Sequence, residues 1–124
     1  MIGYVTMGTN DFDKAAAFYD ALLAELGAKR FMEDERFIAW ATSPGSPAVS
    51  IIHPADGKAA TCGNGMMVAL AVDSTEKVDS LYAKALELGG TDEGPPGLRG
   101  DTFYVGYFRD LDGNKLNAFC MTEG

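Results

Sequence analysis

Two stretches of this chain carry the same series of apolar and polar positions. In the first, Ile2 to Met7 is a short β-rich run, and Asn10 with Asp13 three residues on reads as a capping pair at a helix start. Ala15, Phe18, Leu22, Leu23 and Leu26 then recur at spacings of three and four, which places them on one helix face, and Gly27 supplies a stop. In the second, the apolar run Met66 to Val72 precedes Asp73 with Glu76, the stripe Val78, Leu81, Ala85, Leu88, and the stop Gly89-Gly90. Identities fall at the same points of both patterns: Lys14 matches Lys77, Tyr19 matches Tyr82 and Leu23 matches Leu86, and after one deletion Leu26-Gly27 matches Leu88-Gly89. An internal duplication is the reading that accounts for this.

Short runs separated by turn residues follow each helix. They are Lys29 to Met32, Phe37 to Thr42 and Val49 to Ile52 in the first half, and a strand near Thr91 to Glu93, then Phe103 to Arg109 and Lys115 to Met121 in the second. Asp112-Gly113 closes the last two into a hairpin. The predicted fold class is α+β, with two tandem βαβββ modules forming a cupped, mostly antiparallel sheet. Module 1 spans 1–54, a linker 55–64 and module 2 65–124, within one domain. One helix covers one face of each sheet, so the other face must meet a partner or enclose a cavity.

Period-two geometry assigns strand residues to those faces. Met66, Val68, Leu70 and Val72 are expected to pack on a helix, with Met67, Ala69 and Ala71 facing the cup. In the last strand Asn117 and Phe119 share the cup side, and Tyr4 and Thr6 do so in the first. Trp40 and Tyr104 complete the expected lining. Such a wall, apolar and aromatic with few polar handles, suits small-ligand recognition, although the same residues can fill a core or a dimer seam.

Composition narrows the partners. Ten basic residues against eighteen acidic ones give a net charge of −8, which argues against a phosphate-tracking surface and so against nucleic acid. The longest apolar run, Met66 to Val72, is far short of the roughly 18 residues a membrane span needs. No secretory signal is visible at the N-terminus, and Cys62 and Cys120 read as ordinary reduced thiols, so a cytoplasmic location is expected.

The paired modules, with Tyr4-Val5-Thr6 ahead of Asn10-Asp11, Ala17-Phe18-Tyr19 in the first helix and Tyr107-Phe108-Arg109-Asp110 running into Asp112-Gly113-Asn114, resemble the glyoxalase/bleomycin-resistance/dioxygenase family, the vicinal oxygen chelate superfamily. The resemblance covers essentially the whole chain. It implies two modules cupped around a small-molecule cavity, often in a dimer, with a divalent metal in many members. The family's ligand positions, histidines on first strands and glutamates on last strands, fall here on Tyr4, Met67, Asn117 and, in the first module, near Ser50. None of these is an imidazole or carboxylate, and the chain has a single histidine, His53, so no metal and no cofactor are expected.

His53, at the end of a strand, reads either as a capped or solvent-facing residue or as a catalytic base, and it is the first residue to mutate if proton transfer occurs. Arg99 lies in a Gly- and Pro-rich stretch, Gly94 to Asp101, expected to be a loop that could lid the cup. Its guanidinium would either sit in solvent or hold a ligand carboxylate or phosphate. The function expected is binding of a small apolar or aromatic molecule by a homodimer. The alternatives are a lyase of lactoylglutathione-lyase type or an extradiol-type dioxygenase with an atypical site, and a module serving assembly alone.

Overall fold

The computed structural model describes residues 1–123; the last residue of the expected second module, Gly124, lies outside them. Ten elements follow in the order β1 (Tyr4–Gly8), α1 (Phe12–Ala24), β2 (Lys29–Glu33), β3 (Phe37–Ala41), β4 (Ala48–Ile52), β5 (Val68–Ala71), α2 (Thr75–Glu87), β6 (Thr91–Arg99), β7 (Phe103–Arg109) and β8 (Lys115–Met121). They build two four-stranded mixed sheets of identical topology, β1-β4-β3-β2 and β5-β8-β7-β6. In each the first strand runs parallel to the last, and the remaining pairings are antiparallel.

Both helices begin one residue later than their capping pattern suggests. Asp11, in extended conformation, accepts from the Lys14 amide, and Ser74 accepts from the Lys77 amide. Asn10 is committed elsewhere: its side chain exchanges two hydrogen bonds with the Ala60 backbone, at 2.7 and 3.1 Å, and so ties down the segment between the modules. The helix stripes bury Phe18, Tyr19, Leu22 and Leu23 of α1 and Val78, Leu81 and Ala85 of α2 against one face of each sheet. Gly27 and Gly89 leave the helices at φ 76° and 101°, a region that favours glycine.

The two modules are joined by a buried polar knot. Tyr19 of α1 donates to Asp110 Oδ2 at 2.6 Å across 91 residues of sequence, and Asp110 Oδ1 accepts from the amides of Asp112 and Asn114. The Asn114 side chain donates both to Asp110 and to the Gly8 carbonyl of β1. Burial, reinforced by the Asp110 carboxylate, holds the Tyr19 phenol protonated well above the ordinary tyrosine range. Arg109 and Asp110 thus fix the hairpin turn and the seam between modules together.

The stretch expected to be a lid is a strand. β6 continues through Gly94 and Gly97, paired with Tyr107 and Val105 of β7, with register shifts on either side of Gly94. Pro95 and Pro96 have no amide to offer a ladder, and an edge strand with bulges is the place in a sheet that tolerates them. No helix among the described residues is long and apolar enough to cross a membrane.

Candidate site on the open sheet faces

Register decides which side chains the helices leave uncovered. In the first sheet Thr6 is opposite Ser50, and Ser50 is opposite Ala39, so Tyr4, Thr6, Ser50 and Phe37 share the open face. In the second, Ala69 is opposite Asn117, Asn117 opposite Tyr107, and Phe119 opposite Val105, which groups Asn117, Phe119, Phe103 and Tyr107 there. Arg99 pairs with Phe103 and Lys115 with Arg109, so both belong to this face as well.

The residues expected to line a cup separate into two groups. Tyr4, Thr6, Met67, Asn117, Phe119 and Arg99 lie on the open side. Tyr4 is 64% exposed and meets Phe37 edge to face, and Phe119 packs on Phe103 with ring centroids 5.4 Å apart. Trp40 and Tyr104 are corrections. Trp40 is next to Ala39, an open-face residue, and therefore points the other way. It is buried beside Tyr19, and its indole donates to Asp20 of α1 at 2.8 Å. The Arg30 guanidinium, together with that indole, holds the Asp20 carboxyl below its usual range. Tyr104 pairs with Cys120 on the helix side and donates to Asp79 of α2 at 2.6 Å.

His53 stands apart from the open faces. Its ring stacks on Phe12 at the start of α1, 4.9 Å between centroids, and it borders a different hollow of about 220 Å³ with Thr9, Asn10 and Pro54. A strand-end residue one position beyond Ile52, itself on the open side, turns toward the helix layer. The expected catalytic base therefore does not meet the expected ligand-binding residues.

Polar groups on the two open faces are satisfied to different degrees. Ser50, fully buried, shares a 2.8 Å hydrogen bond with Thr6 and donates to the Val5 carbonyl. Among the described residues Asn117, 1% exposed, reaches only the thioether of Met67 with Nδ2, at 3.6 Å, and its Oδ1 has no partner. Leaving such an atom buried and unpaired costs about 1–3 kcal/mol. Thr6, Met66, Met67, Cys62 and Lys115 border a narrow cleft of about 90 Å³ between β1 and the second module. A larger groove of about 450 Å³, lined by Gly27, Phe31, Ala41 and the 42–46 turn at the outer edge of the first sheet, contains none of these residues.

The donor set does not fit the divalent metal that the family resemblance implies. Tyr4 is engaged with Phe37, Ser50 is saturated within its own sheet, and Met67 with Asn117 supplies a thioether and a neutral amide. Zinc, nickel and iron sites are built from imidazole, thiolate and carboxylate, and no group of three or more such side chains converges among the described residues. Tyr107, Phe103 and Phe37 extend the face beyond what sequence reasoning named, and Lys115 shares it as alternation along the last strand predicts. The signal was present: counting outward from the Asp112-Gly113 turn sets Tyr107 opposite Asn117 and Tyr104 opposite Cys120.

Solved structures repeat this architecture over their whole length. A glyoxalase/bleomycin resistance protein from Albidiferax ferrireducens is 37% identical, with a TM-score of 0.89, covering 97% of this chain and 98% of its own. A hypothetical protein from S. aureus is 27% identical with a TM-score of 0.75, covering 97% and 92%. A lactoylglutathione lyase from Agrobacterium tumefaciens, at 18% identity and a TM-score of 0.72 over 97% and 92%, shares the fold. No curated protein matches the chain. Residues 1–118 match the family described as the Glyoxalase/Bleomycin resistance protein/Dioxygenase superfamily. With that match spanning nearly all of its length, and with both modules built on one topology, the chain belongs to this superfamily.

Proposed function

We propose that this chain binds a small apolar or aromatic molecule against its open sheet faces, without a transition metal, in a homodimer whose second copy closes the cup. The observation that carries the reading is the Asn117 amide, buried in an aromatic wall with an acceptor that the protein leaves unmet. A ligand with one hydrogen-bond donor, seated where the half-exposed Met67 thioether now meets the Asn117 amide, would satisfy Oδ1 while its body lay on Phe119 and Phe103. Pockets for such molecules usually enclose about 300 Å³ or more, and the cleft within one chain is about 90 Å³. Tyr4, Met32, Met67 and Met121 remain exposed on the open side of the two sheets, apolar surface that supports a second copy as its cover. The unpaired thiols Cys62 and Cys120 suit the reducing conditions of a cytoplasmic location.

The test pairs a ligand screen with sedimentation. Small aromatic and thiol-containing compounds are added to the wild-type chain and to Asn117→Leu while thermal unfolding is followed. At least one compound should raise the wild-type melting temperature in proportion to its occupancy, as mass action requires, and leave the variant unmoved. Sedimentation should give a dimer. A chain that is monomeric, and that no compound stabilises, would sink the reading.

A further inference from the structure

We infer that the molecule held at the second module's open face is an acid, with its carboxylate between Arg99 and Lys115 above the Tyr107 ring. This deepens the ligand-binding reading just proposed and rests on it. Lys14, Arg30, Lys84 and Arg109 hold ion pairs among the described residues and the other six cations do not, so it is the meeting of two unpaired cations on one ring that needs a reason. Arg30 is paired with Asp20 and Glu33, and Arg109 with Glu93. Arg99 and Lys115 form no ion pair among the described residues.

Both cations nevertheless converge on one ring from opposite strands. The Arg99 guanidinium carbon lies 5.8 Å from the Tyr107 centroid and the Lys115 ammonium 5.3 Å from it. The guanidinium rests on a floor without side chains. A methyl group placed on Gly97 or Gly94 would stand 3.2 or 3.4 Å from its nitrogens, tighter than or at the limit of ordinary contact. Its one hydrogen bond among the described residues goes to the Pro95 carbonyl, at 3.0 Å, which fixes its direction and leaves other N–H groups to donate. Two like charges sharing a ring repel each other, and contact with the ring compensates weakly at an exposed site. An anion between them removes the repulsion and gains two charge-assisted hydrogen bonds.

The neighbouring residues set the rest of the ligand. Tyr107 is the register partner of Asn117, so the unmet amide oxygen is one strand away from the paired cations on the same face. Glu93, which also feels the Lys115 charge, is ion-paired with Arg109. A molecule spanning the face would therefore meet cations at one end, an acceptor beside them and the Phe119-Phe103 pair beyond. That is the complement of a carboxylic acid with an aromatic or apolar body and a hydrogen-bond donor.

The experiment uses matched probes on the full chain: hydroxy- and amino-substituted aryl carboxylates, each against its own primary amide, titrated by ligand-observed NMR. Acids should bind about tenfold or more tightly than their amides at low salt, and the preference should shrink as salt rises. Arg99→Gln and Lys115→Gln should each weaken acid binding about fivefold, and the double variant should bind acid and amide alike, with amide affinity unchanged within about twofold. The Asn117 side-chain amide resonance should move with either probe. Amides that bind the wild type as well as acids would overturn the acid while leaving the ligand-binding reading intact. A preference for acids that survives in the folded double variant would overturn the assignment to Arg99 and Lys115. Failure of every acid and every amide to bind would remove both.

Discussion

Ser50 and Asn117 occupy matching places in the two modules, each on the last strand opposite the first strand of its sheet. Both are buried and neutral, at positions where the family resemblance implies a metal-binding carboxylate. Their surroundings differ. Ser50 closes its hydrogen bonds on Thr6 and Val5, inside its own sheet, whereas Asn117 faces alanine and a thioether and retains an unpaired oxygen. The first module satisfies this position within its own sheet; the second leaves it buried with an oxygen unpaired among the described residues. Cations follow the same division, since Arg99 and Lys115 flank Asn117's neighbour Tyr107.

The most disruptive way to break this comparison is to remove the seam on which both modules rest. Asp110→Ala would strand the Tyr19 hydroxyl and two backbone amides in a buried site, and chemical denaturation should show a loss of about 3 kcal/mol or more. Tyr19→Phe removes one hydrogen bond there and should cost about 1–2 kcal/mol. The matched pair of substitutions sharpens the comparison itself. Ser50→Ala should lower stability by about 1 kcal/mol and leave ligand affinity within about twofold, because it breaks bonds internal to the sheet. Asn117→Leu should reverse that result, with stability equal or higher and ligand affinity down about tenfold, because the unmet oxygen disappears. A fall in stability for Asn117→Leu equal to that of Ser50→Ala would erase the distinction.

A pH series probes the seam more gently. The folded-state pKa of Tyr19 is raised by burial, so above the ordinary phenol value of about 10 the native state holds a proton that the unfolded state has released. Its contribution is complete below that pH and declines above it, and the alkaline slope of unfolding free energy should be shallower in Tyr19→Phe. Tyr82, the matching residue of the second helix, has its phenol pushed up to about 12 by burial and its bond to Asp92, and adds a slope of the same sign. The smallest expected effect is that of metal. Chelation should leave the melting temperature unchanged, and elemental analysis of the purified chain should find no stoichiometric zinc, nickel or iron.

Much of this arrangement could be read from the chain because it depends on local periodicity. Alternation placed Leu116, Ala118 and Cys120 on one side and Asn117 and Phe119 on the other, and the three-four spacing of Phe18, Leu22 and Leu23 fixed the face of α1. Trp40 and Tyr104 were misplaced for a different reason. Aromatic character says nothing about facing, and a shift of one residue reverses a side chain. Composition hid the strand that carries Arg99, not the residue. Glycine and proline suggest a loop, and only pairing with β7 shows that a bulged edge strand accommodates them.

The sequence by itself determined the duplication, the β-α-β-β-β order and the side of each strand that a helix covers, since these follow from periods of 2.0 and 3.6 that neighbours along the chain express alone. The tertiary structure decided which polar groups find partners. Tyr19 reaches Asp110 across 91 residues and Thr6 reaches Ser50 across 44, while Asn117 Oδ1 finds no one. Hydrogen-bond satisfaction is a non-local property, settled by what folding brings within 3.5 Å, whereas periodicity is expressed by neighbours along the chain.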